Sequence, residues 1–244
     1  MSHLIAGLTD PNAGASIQRH GPSPAAAAAQ AEAVFDRLHA DLAAINCVEH
    51  DVCKITMRIT DREWREPVYA VLGRRLAGVF PVSTGLIVER LADPNALFQL
   101  DVYVVPGGPH ERLRRYRSSD GPYGLQRQAF SMDFCMVVQA GREVFLRGQT
   151  GSTLDRRFPH LNDPAAQIRQ AIANIRELLA DVGAGLQDTT QLMTYATDPS
   201  LLAMMRETVR PAFVEAVDTT ELLVKGLAAP ELLLEIDVIA TLPD

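Results

Sequence analysis

TGLIVERLADPNALFQLDV, residues 84–102, is answered by TELLVKGLAAPELLLEIDV, residues 220–238. Thr84 meets Thr220, Val88 meets Val224 and Leu91-Ala92 meets Leu227-Ala228. Pro94 then meets Pro230, and Asp101-Val102 meets Asp237-Val238, all in one register. Upstream, at an offset of 137 rather than 136, Ala29-Gln30 falls on Ala166-Gln167 and Thr60-Asp61 on Thr197-Asp198, with no gap between these two. A register that holds through two helices and three strands makes the chain two tandem copies of one module.

Each copy carries the same coarse layout. In the second, Ile168, Ala171, Ile172, Ile175, Leu178, Leu179 and Val182 follow helical spacing, and Gly183 and Gly185 lie past the helix end. LMTYAT (192–197) reads as a strand, and Asp198-Pro199 opens a second helix whose apolar face is Leu201, Met204 or Met205, Val209 and Phe213. Strands at 221–225 and 232–242 close the copy. In the first copy, Val34, Leu38, Leu42 and Ile45 give one helix face, and Trp64, Val68, Leu72 and Leu76 the other. Strands are expected there at 54–60, 86–89 and 98–105. FCMVVQAGREVFLRGQTG (134–151) reads as an opening hairpin for the second copy. The Gly/Pro/Ala-rich start shows no alternation, so the first copy is expected to lack that hairpin.

The predicted organisation is an N-terminal extension (1–27), a truncated first module (28–105), a linker (106–129) and a complete second module (130–244). The predicted class is α+β, each module a mixed sheet with two helices on one face. The other face of each sheet must then pack on something, usually another copy of the module.

With 244 residues, 47% hydrophobic and 22% charged, the chain can bury a sizeable core. A net charge of −7 argues against a nucleic-acid partner, since that affinity is mostly phosphate neutralisation. The best basic run is Arg112, Arg114, Arg115 and Arg117 in the linker, read as a solvated or inter-module segment. Three cysteines in a chain of this length do not suggest a disulfide framework. The N-terminus lacks a basic start and a long apolar run, and no stretch reaches the roughly 18 apolar residues of a span. The expected location is the cytoplasm.

Phosphate-binding glycine loops, the serine-hydrolase elbow and paired metal-ligand spacing among the six histidines are absent, so neither cofactor nor metal is expected. Three features of the second copy could carry chemistry. Arg147-Gly148-Gln149 ends a strand, where an arginine could grip a carboxylate through a bidentate fork. Glu235 and Asp237 alternate with apolar residues, so both point to one sheet face, where burial would suit acid/base work. Cys135 lies in an apolar strand, as a nucleophile or as a small hydrophobe.

FLRGQT (145–150), AAQIRQAIANIRELLADVGAGLQD (165–188), TYATD (194–198) and LAAPELLLEIDVIA (227–240) together resemble the RidA (YjgF-type) family. KITMRITD (54–61), VFPVSTGLIVERLADP (79–94) and FQLDVYVV (98–105) extend that resemblance to the first copy. The resemblance implies a chorismate-mutase-like fold, trimeric assembly, clefts between neighbouring modules, and cofactor-free hydrolysis of imines or enamines to a keto product and ammonia. Active members carry an arginine after Phe-Pro-x. Here Ser83 holds that place in the first copy and Thr219 in the second. The usual opening-strand tyrosine is Phe134, and the serine before Gly-Gln is Arg147. Glu235 matches the glutamate placed to activate water, where the first copy has Gln99.

The expected site is therefore Glu235 as catalytic group, with Arg147, Gly148, Gln149, Phe134, Cys135 and Thr219 around a small carboxylate substrate. Two other readings stand beside hydrolysis: metabolite binding without turnover, and an RNA-binding or RNA-cleaving role.

Overall fold

The computed structural model describes residues 2–115, 132–155, 157–213 and 217–243. Arg117 lies outside them. The first sheet has strands β1 (His3–Leu8), β2 (Val52–Ile59), β3 (Val82–Ile87) and β4 (Phe98–Val104), in the order β1-β4-β2-β3. The second has β5 (Glu111–Leu113), β6 (Val137–Ala140), β7 (Glu143–Leu146), β8 (Thr189–Ala196), β9 (Asp218–Leu223) and β10 (Leu234–Thr241), in the order β5-β6-β7-β10-β8-β9. The order β7-β10-β8-β9 repeats β1-β4-β2-β3 strand for strand. In each sheet one parallel pair, β2–β3 or β8–β9, sits among antiparallel ones.

The parallel pairs are bridged by α3 (Arg65–Arg75) and α5 (Pro199–Val209), as a parallel connection requires a crossover. α2 (Pro24–Ala44) and α4 (Pro164–Ala180) complete the helical layers. The local chemistry of the repeat shows at the helix starts. Ser23, Asp163 and Asp198 each accept a hydrogen bond from a first-turn backbone N–H, and each precedes a proline. On the helical side of the first sheet, Val34, Leu38, Leu42, Val68 and Leu72 pack on Ile55, Met57, Leu100 and Val102. On that of the second, Ile168, Ile175, Leu178, Met205 and Val209 pack on Leu192, Ile236 and Val238. No helix among the described residues is long and apolar enough to cross a membrane.

Two expectations are corrected here. The N-terminal extension is not featureless: residues 3–8 form β1, and α1 (Ala13–His20) follows. β1 occupies the place of β7, so the first module keeps one strand of the opening hairpin. Among the described residues β6 has no counterpart there. β1 escapes a search for alternation because its pairing with β4 shifts between Ile5 and Leu8, Gly7 has a φ of 68°, and Leu4 faces solvent on an edge. The stretch from residue 106 is likewise not all linker, since β5 extends the second sheet.

The helix-free faces of the two sheets pack on each other within the chain. Cys53 and Val82 of the first module meet Cys135, Val138, Phe145 and Ile239 of the second. Farther along, Leu86 meets Tyr195, Val224 and Leu227. The Arg112 guanidinium, beside β5, crosses the boundary and donates to the carbonyls of Phe80 (3.1 Å), His50 (3.0 Å) and Val52 (3.0 Å). The tandem copy thus covers the face that a lone module would leave bare.

Candidate functional site

Strand alternation places Glu235 and Asp237 on the helix-free face of β10, between Leu234, Ile236 and Val238 of the core side. Both are sealed: Glu235 is 4% and Asp237 0% exposed. The first module lies directly against them. Lys54 on β2 donates to Asp237 Oδ1 at 2.6 Å and to the Leu146 carbonyl at 3.0 Å. Thr84 on β3 donates to Asp237 Oδ2 at 2.8 Å. Asp237 is therefore held at both oxygens.

Glu235 differs. Its carboxyl has no hydrogen-bond partner among the described residues. Burial between the two sheets, reinforced by the charge of Asp237, pushes it up to about 8 against the pull of Arg147, Lys54 and Arg65. Its surroundings therefore favour the protonated carboxyl.

Gly148 makes room for it. A Cβ at Gly148 would lie 1.8 Å from Glu235 Oε1 and 2.8 Å from Thr84 Oγ1. The same glycine donates its N–H to the Ser83 carbonyl at 3.3 Å, which ties the end of β7 to β3 of the other module. Gln149 pairs in both directions with Ile236 (2.8 and 2.7 Å), and its side chain closes on the Arg147 carbonyl at 2.7 Å. Arg147 lays its guanidinium 4.3 Å from the centre of the Phe134 ring. Phe134 is 2% exposed, with its other contacts in the first module's core. The structure thus brings together Glu235, Arg147, Gly148, Gln149 and Phe134.

Two expected members stand apart. Thr219 pairs with Leu192, which pairs with Val238, so it belongs to the opposite face of the sheet from Glu235, and its hydroxyl donates to the Val217 carbonyl. Ser83, its counterpart in the first module, pairs with Ile55 of the helical side and likewise faces away, so β3 contributes Thr84 rather than Ser83 to the surroundings of Asp237. Cys135 is fully buried between the modules, its thiol directed at the carbonyls of Phe80 and Val137 and pushed up to about 12 by desolvation. It is a packing residue, not part of the cleft wall.

Lys54 and Thr84 were missed. A faint signal existed: Lys54, Thr56 and Arg58 alternate with apolar residues and so share a polar face on β2. The described linker arginines do not form an open basic patch. Arg112 is buried, Arg114 pairs with Asp181 and Glu177, and Arg115 donates to the Arg112 carbonyl and lies over the Phe80 ring. Among the described residues no three His, Cys, Asp or Glu side chains gather as a metal site.

Several known proteins are similar to this chain. The family model described as Endoribonuclease L-PSP matches residues 126–242. Rv2704 from Mycobacterium tuberculosis, a member of the YjgF/YER057c/UK114 family, is 33% identical over 45% of this chain and 86% of its own, with a TM-score of 0.39. YyfB from Yersinia pestis, of the Rid protein family, is 32% identical over 44% of this chain and 86% of its own, with a TM-score of 0.38. A chorismatase covers 98% of this chain and 74% of its own at 17% identity and a TM-score of 0.65, a likeness of fold that runs through both modules. No curated protein matches.

Proposed function

The chain belongs to the YjgF/YER057c/UK114 (Rid) family, and from that premise we propose that it hydrolyses a small imine or enamine to a keto product and ammonia, in the cleft between its two modules. The observation that carries this reading is Glu235: a buried carboxyl with no hydrogen-bond partner among the described residues, pushed up to about 8, within the charge influence of a guanidinium. An enamine needs a proton on its β-carbon to become an iminium, and a protonated glutamate supplies it. The carboxylate left behind takes a proton from water as the water oxygen attacks the iminium carbon. The resulting carbinolamine collapses with loss of ammonia. Arg147 is the anchor for the substrate carboxylate, in place of the arginine missing at Ser83.

Ammonia release from 2-imino acids generated in situ tests the reading, with Glu235→Gln as control. Release that vanishes in the variant supports it; release that persists unchanged removes Glu235 from the chemistry. No release from any substrate, with tight binding of a carboxylate, would instead establish a binding role. Chorismate belongs in the same panel. Its enol ether also opens by protonation of a carbon, and the enzyme named for acting on it shares the fold of both modules. In the same reading the protein works in the cytoplasm as a homo-oligomer, with a trimer the expected form. Solvent-facing Leu222 and Leu223 on the edge strand β9 support self-association, and light scattering checks it. An RNA role has little support, because the described linker arginines are engaged within the chain.

A further inference from the structure

We propose that Lys54, carried by the first module, is a positioning residue of the second module's site: with Thr84 it clamps Asp237 and so fixes a negative charge beside the Glu235 carboxyl. The inference rests on the reading of Glu235 as the proton-carrying group. Its basis is geometric. Lys54 and Asp237 are both fully buried, and 183 residues of chain separate them. Nζ reaches Asp237 Oδ1 (2.6 Å), the Leu146 carbonyl (3.0 Å) and Thr84 Oγ1 (3.4 Å), while Thr84 holds Oδ2. With both oxygens engaged by the first module, the carboxylate cannot turn away from its neighbour two residues along the strand.

Stability alone does not account for such a pair. Desolvating two charges costs about as much as their attraction returns, and apolar residues of the same size would pack as well. The repeat sharpens the point. Gln191 occupies the place of Lys54 in the second module, where it accepts from the Tyr103 hydroxyl at 3.2 Å, and Asp101 pairs with Arg58 of its own sheet. Of the two matching aspartates, the one clamped by a lysine of the other module is the one with a glutamate two residues before it.

The groups facing Glu235 are Asp237 on its own strand, Tyr195 opposite it on β8, Lys54 from β2, Arg147 after β7 and Arg65 from α3. Asp237 is the strongest charged influence among them, and it favours the protonated form.

The test is a carbon-13 NMR titration of the Glu235 carboxyl, which needs no substrate. In Lys54→Met/Asp237→Asn the ion pair is removed as a unit without leaving a lone buried charge. The proton-binding constant of Glu235 is expected to fall at least tenfold, and the pH profile of ammonia release to move down with it. Asp237→Asn alone, which keeps its shape and leaves Lys54 the Leu146 carbonyl and Thr84 as acceptors, is the second variant and is expected to shift the same way. A folded variant in which Glu235 titrates as in the wild type overturns the proposal and reduces the pair to a clasp between modules. That failure is distinct from failure of the hydrolase reading, which the Glu235→Gln assay decides separately.

Discussion

Asp101 and Asp237 occupy the same place in the two copies, at the same position of the same strand. Asp101 remains partly exposed, pairs with Arg58 of its own sheet and accepts the Gly7 N–H at 2.7 Å. Asp237 is sealed and pairs with a lysine of the other module. Two residues earlier on each strand, Gln99 is half-buried and bonds weakly to Asp101, whereas Glu235 is buried and its carboxyl is pushed up to about 8. The repeat sets where a side chain points. What surrounds that point, and so its chemistry, depends on which sheet face the other module covers. Duplication here yields one composite buried polar cluster, assembled from the β2–β3 face of one copy and the β7–β10 face of the other.

The largest expected effect breaks the comparison at its centre. Lys54→Met alone strands Asp237 as an uncompensated buried charge and should cost about 3–5 kcal/mol in denaturant unfolding. Gln191→Met, at the matching place, should cost far less. Equal losses would erase the distinction between the two faces. Next, Glu235→Gln should lower turnover by about 10²–10⁴-fold, the usual weight of general acid–base catalysis. Arg112→Ala removes a charged donor from three carbonyls and should cost about 1.5–3 kcal/mol, read as a shift of the denaturation midpoint at constant slope.

A pH series sharpens the contrast further. Glu235 keeps its proton to about 8 when folded but releases it near its ordinary value of 4.5 when unfolded. The folded state binds the extra proton between those limits, so stability falls as pH rises from about 4.5 to about 8, by up to about 1.4 kcal/mol per pH unit. Glu235→Gln should flatten that slope, and an unaltered slope would assign it to other groups. The smallest effect is expected at Thr219. Thr219→Val, on the far face, should stay within about 0.5 kcal/mol and leave ammonia release unchanged, and a tenfold fall in turnover would return it to the site.

Much of the architecture was legible in the sequence because the repeat is aligned by local patterns: helical spacing, proline-marked helix starts, and apolar alternation in β10. Alternation also put Glu235 and Asp237 on one face. What it could not show was which module covers that face. Lys54 and Thr84 enter the site through a sheet-on-sheet contact that no spacing encodes. Thr219 was misplaced because a column of the repeat names an equivalent residue without saying whether it faces the site. β1 went unseen because an irregular edge strand with an exposed leucine leaves little period to find.

The span of chain between Lys54 and Asp237 also has a bearing on synthesis. The first module leaves the ribosome well before its covering sheet exists, and its helix-free face must wait in water. A charged ammonium in the middle of that face, with Thr56, Arg58 and Thr84 around it, keeps the waiting surface hydrated and poorly suited to pairing with another nascent chain. For that interval the lysine carries a charge that any apolar association of this face would have to desolvate.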